Sequence, residues 1–157
     1  MFRQINHQML NNIATYEKAF SNLHVKIVGG RKFPNKAILL ISVMDLVRCG
    51  YIFGNKIELN DTIRVAFEYY WKVFVNDTPP TVWTPFWHMK KEFFWHFKPI
   101  HTIADIDALA KPGETASIGK MKREIEYAYL DSELFALIQK KSCREILFSA
   151  LRSNYLE

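Results

Sequence analysis

Apolar side chains recur every three or four residues in several stretches of the chain, and this spacing predicts helices. The first predicted helix covers residues 4–22, the second 36–49 and the third about 61–75. The second stretch is apolar almost throughout, so most of that helix is expected to be buried. Pro34 and Asn35 stand before it, where proline suits a first helical turn and asparagine suits a cap.

The last third of the chain predicts three more helices. Residues 120–130 show helical spacing of apolar positions, and Asp131 is placed to cap a helix that ends near Lys140. Ser142 and Glu145 have the spacing of a capping box, which predicts a terminal helix to about Leu151.

Glycine, proline and aromatic residues separate these helices. Gly29-Gly30 interrupts the chain, and Gly54-Asn55 predicts a small hairpin between residues 51–53 and 56–58. The aromatic segment 83–97 predicts two short extended pieces that flank a pair of lysines. The pattern therefore predicts an α+β fold that is mostly helical, a single compact domain over residues 1–157 with one small hairpin and short strands.

The positive charge lies in the first third of the chain. The 157 residues carry a formal net charge of +5, and residues 1–60 hold eight Lys/Arg against three Asp/Glu, while the remainder holds 13 of each. A local basic patch favours a polyanionic partner, although a solvated basic face would have the same composition. The tightest basic cluster comprises Arg31, Lys32 and Lys36.

Other classes of function have little support in the sequence. The longest apolar run, 37–44, is too short to cross a membrane, and the polar N-terminus predicts no secretory signal. Cys49 and Cys143 are far apart and are expected to be free thiols of a cytoplasmic protein. We find no metal-ligand spacing, phosphate-binding loop or nucleophile motif, so we predict no catalytic residue, metal or cofactor.

The aromatic segment 83–97 has an unusual composition. It contains three tryptophans, four phenylalanines, two histidines and two lysines. This mixture suits a rigid surface that is partly apolar and partly cationic. If the segment is extended, His88 and His96 project from neighbouring strands toward one surface. The alternative is that both histidines are half-buried and bonded to the backbone.

Two segments resemble a known family. Lys32-Phe33-Pro34-Asn35-Lys36 and the apolar run that follows resemble a helix start in the N-terminal DNA-recognition domain of HNH-type restriction endonucleases. Thr84-Pro85-Phe86-Trp87-His88-Met89 through Phe94-Trp95-His96-Phe97 resembles a second motif of that domain. Residues 124–156 also follow its ending, so the resemblance covers about residues 30–157.

The resemblance implies binding of double-stranded DNA, because this family is related to sulfur-binding domains that recognise phosphorothioate-modified DNA. It implies that Lys36 neutralises the phosphate and that Pro85 forms a wall of an apolar sulfur pocket. In this chain Asn35 replaces the usual histidine, and Thr84 replaces tyrosine, with less apolar area for sulfur. The implied DNA-binding residues are Arg31, Lys32, Asn35, Lys36, Thr84, Pro85, Phe86, Trp87 and His88.

Full-length members of that family carry a C-terminal HNH nuclease domain, which this chain does not contain. The resemblance therefore implies a recognition module of a restriction or defence system, not an enzyme, with a nuclease as a fused domain or partner. The competing hypothesis is a protein-interaction domain that uses the aromatic segment as an exposed patch. A third hypothesis places most of these aromatic residues in the core.

Overall fold

Helices dominate the fold, which confirms the predicted class, α+β and mostly helical. The computed structural model describes residues 2–101 and 105–157, and it describes side chains from residue 7 onward within these ranges. In chain order the α-helices are α1 Phe2–Ser21, α2 Asn35–Arg48, α3 Asp61–Phe74, α4 Trp83–His88, α5 Ile118–Glu124, α6 Ser132–Ile138 and α7 Lys141–Leu151.

Helix α2 lies at the centre of the core. Its residues from Lys36 to Met44 are all buried, as the long apolar run predicted. It packs against α3, α4, α6 and α7, while α1 covers α6 and α7. The predicted third helix is also confirmed, and the side chain of Asn60 caps it by accepting a hydrogen bond from the amide of Ile63 at 3.1 Å.

Two small antiparallel sheets complete the described part of the chain. Strands β1 (Ile27–Val28) and β2 (Arg31–Lys32) form a hairpin. Strands β3 (Trp95–Pro99) and β4 (Ile125–Leu130) form the other sheet, and the register shifts near Pro99. Short helical turns occur at Met89–Lys91, Ile106–Leu109 and Arg152–Leu156.

The hairpin lies at a different place from the predicted one. Gly29 and Gly30 both have positive φ, 60° and 77°, and form the tight turn between β1 and β2. At the predicted position, the Asn55 side chain donates to the carbonyl of Leu130 at 2.7 Å and accepts from its amide at 2.9 Å. Ile57 then bridges to Ala128. The segment therefore pairs with β4 instead of with itself.

The prediction of two extended pieces for segment 83–97 is wrong in its first half. Residues 83–88 form α4, and a 3₁₀ turn follows. Val82, Pro85, Phe86 and Met89 are all buried and have the spacing i, i+3, i+4, i+7 of a helix face. Pro85 is tolerated because it lies in the first helical turn, where its missing N–H costs no bond.

The predicted helix over residues 120–130 is confirmed for 120–124, which lie in α5, and is wrong for 125–130, which form β4. The hydrogen bonds of β4 to β3 override the weak helical spacing. In α7 the expected capping box is absent, since the helix begins at Lys141 and its N-cap has no side-chain hydrogen bond. Within the described ranges, no helix has both the length and the hydropathy needed to cross a membrane.

Two predictions fall partly outside the described residues. The first helix is confirmed, but the side chain of Ile5 in its apolar pattern is not described. Residues 102–104, within the irregular stretch between β3 and α5, are not described either.

Asp131 does precede α6, yet its side chain makes no cap hydrogen bond. Its carboxylate instead accepts from Tyr16 at 2.7 Å and contacts His96 at 2.6 Å.

Candidate nucleic-acid interface

The β1–β2 hairpin leads directly into α2 and carries three basic side chains. Arg31 is exposed at the turn. The ammonium of Lys32 lies over the ring of Tyr155, 5.5 Å from its centroid. The ammonium of Lys26 lies over the ring of Phe33 at 5.9 Å. The hairpin therefore presents positive charge beside the start of α2, and aromatic rings hold two of its three cations.

A buried carboxylate, Glu92, joins the segments that the sequence motifs come from. Glu92 is 4% exposed, and its Oε2 accepts from Lys36 Nζ at 2.7 Å. Its carboxylate also accepts from the backbone amide of His24 at 3.1 Å and contacts that residue's Nδ1 at 3.1 Å. Glu92 therefore binds the chain before the hairpin to the start of α2.

The expectation that Lys36 faces a phosphate is wrong. Only 6% of Lys36 is exposed, and its ammonium is paired with Glu92. Burial lowers the pKa of Lys36; the hydrogen bond and charge of Glu92 oppose this, and the nearby charge of Lys91 adds to the lowering. Lys36 thus neutralises the buried carboxylate of Glu92, so that neither charge is left uncompensated in the interior.

Pro85, Phe86 and Trp87 do not form an exposed surface either. All three are buried, and Phe86 and Trp87 are 0% and 1% exposed. The Trp87 indole N–H donates to the carbonyl of Glu114 at 3.1 Å. The exposed aromatic patch of the protein-interaction hypothesis is absent here for the same reason. For these residues, the hypothesis that places them in the core is confirmed.

Asn35, Thr84 and His88 are half-buried. Thr84 Oγ1 lies 3.0 Å from Thr81 Oγ1, and His88 Nε2 lies 2.8 Å from Thr115 Oγ1. Burial lowers the pKa of His88, and the positive charges of Lys91, Lys36 and Lys90 add to the lowering. Burial and these three charges therefore both favour the neutral form of His88.

The two histidines of the aromatic segment have different environments. His88 lies at the end of α4 and bonds Thr115, whereas His96 lies in β3 and bonds Asp131. The paired strands that would have placed them on one surface do not form. Both are half-buried, as the alternative held, but their partners are side chains and not backbone groups.

Several residues of this region were not identified from the sequence. Glu92 is the acidic residue of segment 83–97, and it follows two lysines. The Lys90 ammonium binds Asp107 at 2.7 Å and is thereby neutralised. Four basic side chains around the start of α2 have no acidic partner in the described parts of the chain, namely Lys26, Arg31, Lys32 and Lys91.

A chain of contacts links the two ends of this cluster. Tyr155, beneath Lys32, accepts a hydrogen bond from the amide of Leu23 at 2.8 Å. The next residue, His24, binds Glu92, which follows Lys91 in the chain. We call the four unpaired cations, Lys26, Arg31, Lys32 and Lys91, the basic face.

No protein-family model and no curated protein matches this chain. The resemblance to the endonuclease domain therefore stays a prediction. Among the described residues, no three His, Cys, Asp or Glu side chains converge as metal ligands would. The chemistry that the site offers is cationic and hydrogen-bonding, and it suits an anionic partner.

Proposed function

We propose that this protein is a recognition module that binds double-stranded DNA and acts in a restriction or defence system without catalysing a reaction itself. The observation that carries DNA binding is the basic face, whose four cations lack acidic partners among the described residues. The link to restriction, and to a nuclease as a fused domain or partner, rests on the sequence resemblance alone.

Binding on this face is predicted to depend strongly on salt. Each cation that contacts a phosphate releases counterions, so the logarithm of the affinity falls by about 0.9 per contact for each logarithmic unit of salt. The buried pair of Lys36 and Glu92 has no net charge and contributes nothing to this slope. Its contribution is to hold the hairpin, α2 and Lys91 in place.

Recognition of a phosphorothioate is the narrower form of this proposal. The apolar wall assigned to Pro85 is buried, which leaves the methyl group of Thr84 as apolar surface at that position. Burial of ~40 Å² of apolar area contributes about 1 kcal/mol, or less than tenfold in affinity. We therefore expect a preference for modified DNA of less than tenfold.

Fluorescence anisotropy with matched normal and phosphorothioate duplexes over a salt series tests both forms. DNA binding predicts association with both duplexes at low salt and weakening as salt rises. The absence of binding to either duplex at low salt would contradict the whole proposal. Equal affinity for the two would remove the sulfur preference and leave DNA binding intact.

Variants localise the binding. Arg31→Ala and Lys91→Ala should each weaken both duplexes, because each removes an exposed and unpaired cation. The control is Lys141→Ala, which removes an exposed lysine at the N-terminal end of α7, whereas Tyr155 follows the C-terminal end; Lys141 lies 4.0 Å from Glu145. If Lys141→Ala weakened binding as much as Arg31→Ala, the DNA would not be contacting the basic face specifically.

A further inference from the structure

The outer face of α3 carries an apolar stripe. Val65, Tyr69 and Val73 are 56%, 61% and 54% exposed. They recur every four residues, so they follow one line along the helix. The core contacts of α3 are made on its opposite side by Ile63, Phe67 and Trp71. The exposed stripe is therefore not needed to hold α3 on the domain.

Two more exposed aromatic residues lie in the loop that precedes α3. Tyr51 and Phe53 are 74% and 95% exposed. They line a shallow groove together with Asn60 and Thr62, and Thr62 lies one turn before Val65. Groups of large exposed apolar side chains mark contact surfaces of proteins.

The charges of α3 lie along one flank of the stripe and differ in sign on the two sides of Tyr69. Arg64 pairs with Asp61 at 3.4 Å and with Glu68 at 3.3 Å, so these three residues sum to −1. Lys72, one turn after Glu68, adds +1 and has no acidic partner in the described parts of the chain. A helix whose charges sum to −1 before Tyr69 and to +1 after it is complementary to an antiparallel copy of itself centred on Tyr69.

We propose that two copies of this chain associate through α3, antiparallel about a two-fold axis that passes beside Tyr69. A two-fold axis makes one patch meet itself, so a self-complementary surface is what such a dimer needs. Val65 of one copy then faces Val73 of the other, and Lys72 reaches Glu68 of the other copy. Phe53 covers the end of the second copy's stripe.

Sedimentation velocity over a wide concentration range tests this association. The wild-type chain should form a dimer whose fraction rises with concentration. Tyr69→Glu sets two carboxylates against each other on the axis and should weaken the dimer at least about tenfold, which is about 1.4 kcal/mol. The matched control, Ile27→Ser with Val28→Ser, removes two side chains that are 62% and 59% exposed elsewhere, and it should leave the dimer unchanged.

Charge exchange tests the antiparallel register. Lys72→Glu sets two glutamates close together at each of the two symmetry-related contacts and should weaken the dimer about four- to twenty-five-fold, or about two- to fivefold for each exposed ion pair. Glu68→Lys should weaken it similarly, and the double variant should recover most of the affinity. If the two losses simply added, Lys72 and Glu68 would not meet across the interface.

Cysteine pairing tests the position of the axis in a Cys49→Ser background, where the other thiol, Cys143, is buried. Tyr69→Cys should form a disulfide-linked dimer readily. Val65→Cys alone should not, because the two positions lie about 12 Å apart along the axis at 1.5 Å per residue, beyond disulfide reach. A mixture of Val65→Cys and Val73→Cys chains should pair.

Three results would contradict the proposal. If the wild-type chain stays monomeric at every concentration, the two copies do not associate, and the stripe would be a contact surface for a different protein. A dimer that tolerates Tyr69→Glu would lie on another surface. Self-pairing of Val65→Cys without pairing of Tyr69→Cys would exclude a two-fold axis beside Tyr69.

Discussion

Replacement of Lys36 should destabilise the fold itself, independently of any effect on ligand binding. In Lys36→Met the Glu92 carboxylate, 4% exposed, loses the ammonium that lies 2.7 Å away. Breaking a buried ion pair on one side costs about 3–5 kcal/mol, because an uncompensated charge stays buried. His24 still contacts the carboxylate at 3.1 Å, so we expect the lower end, about 3 kcal/mol.

Urea and thermal unfolding measure this loss. For a domain of this size ~3 kcal/mol lowers the melting temperature by about 6–12 °C. The double variant Lys36→Met with Glu92→Met removes both charges and should recover most of the stability, since an apolar pair of similar volume replaces a buried ion pair at little cost. Lys91→Met is the control, and removal of this exposed lysine should change stability by less than about 0.5 kcal/mol.

Refutation would take a simple form. If Lys36→Met unfolded within about 0.5 kcal/mol of wild type, Lys36 would be accessible and free, as the sequence resemblance implied. The double variant extends the test to function. It should still bind DNA if it folds, because its two charges cancel in the native protein.

Three further predictions concern single side chains. Stability should fall as pH drops below about 6.5, because the pKa of His88 is lowered in the folded protein and the unfolded chain therefore binds a proton at His88 first. In melting curves, His88→Gln should reduce this pH dependence, whereas replacement of the exposed His101 by Gln should not. Trp95→Phe should cost about 1 kcal/mol less than Trp87→Phe, because the buried Trp95 N–H has no partner in the described chain whereas that of Trp87 is bonded. Asp131→Ala should cost about 2 kcal/mol in urea unfolding through loss of two hydrogen bonds; Asp131→Asn should restore part of it.

The sequence predicted the long helices well because each of them buries one continuous face. The apolar run of α2 and the cap at Asn60 are local signals, and the structure confirms both. Residues 125–130 were predicted wrongly because their conformation depends on pairing with β3, which no local pattern reports. The Gly29-Gly30 pair was a local hairpin signal, because glycine readily adopts the positive φ that a tight turn requires. Both residues do have positive φ in the structure.

The candidate site was predictable in part. The basic cluster at Arg31 and Lys32 is exposed or half-exposed, as its composition indicated. The burial of Lys36 was not predictable, because its partner Glu92 lies 56 residues away in the chain. The aromatic segment was misread because its helical spacing from Val82 to Met89 was masked by its composition. Charge indicated where the exposed basic cluster lies, whereas long-range contacts decide which of its charges are paired.

The most direct test of the central claim is the salt dependence of DNA binding by the wild-type chain and by the Arg31→Ala/Lys32→Ala variant. If all four cations of the basic face contact phosphates, a plot of log affinity against log salt concentration should have a slope of about −3.6. The variant should lower the magnitude of that slope by about 1.8. Equal slopes for the two proteins, or no binding at low salt, would contradict the account.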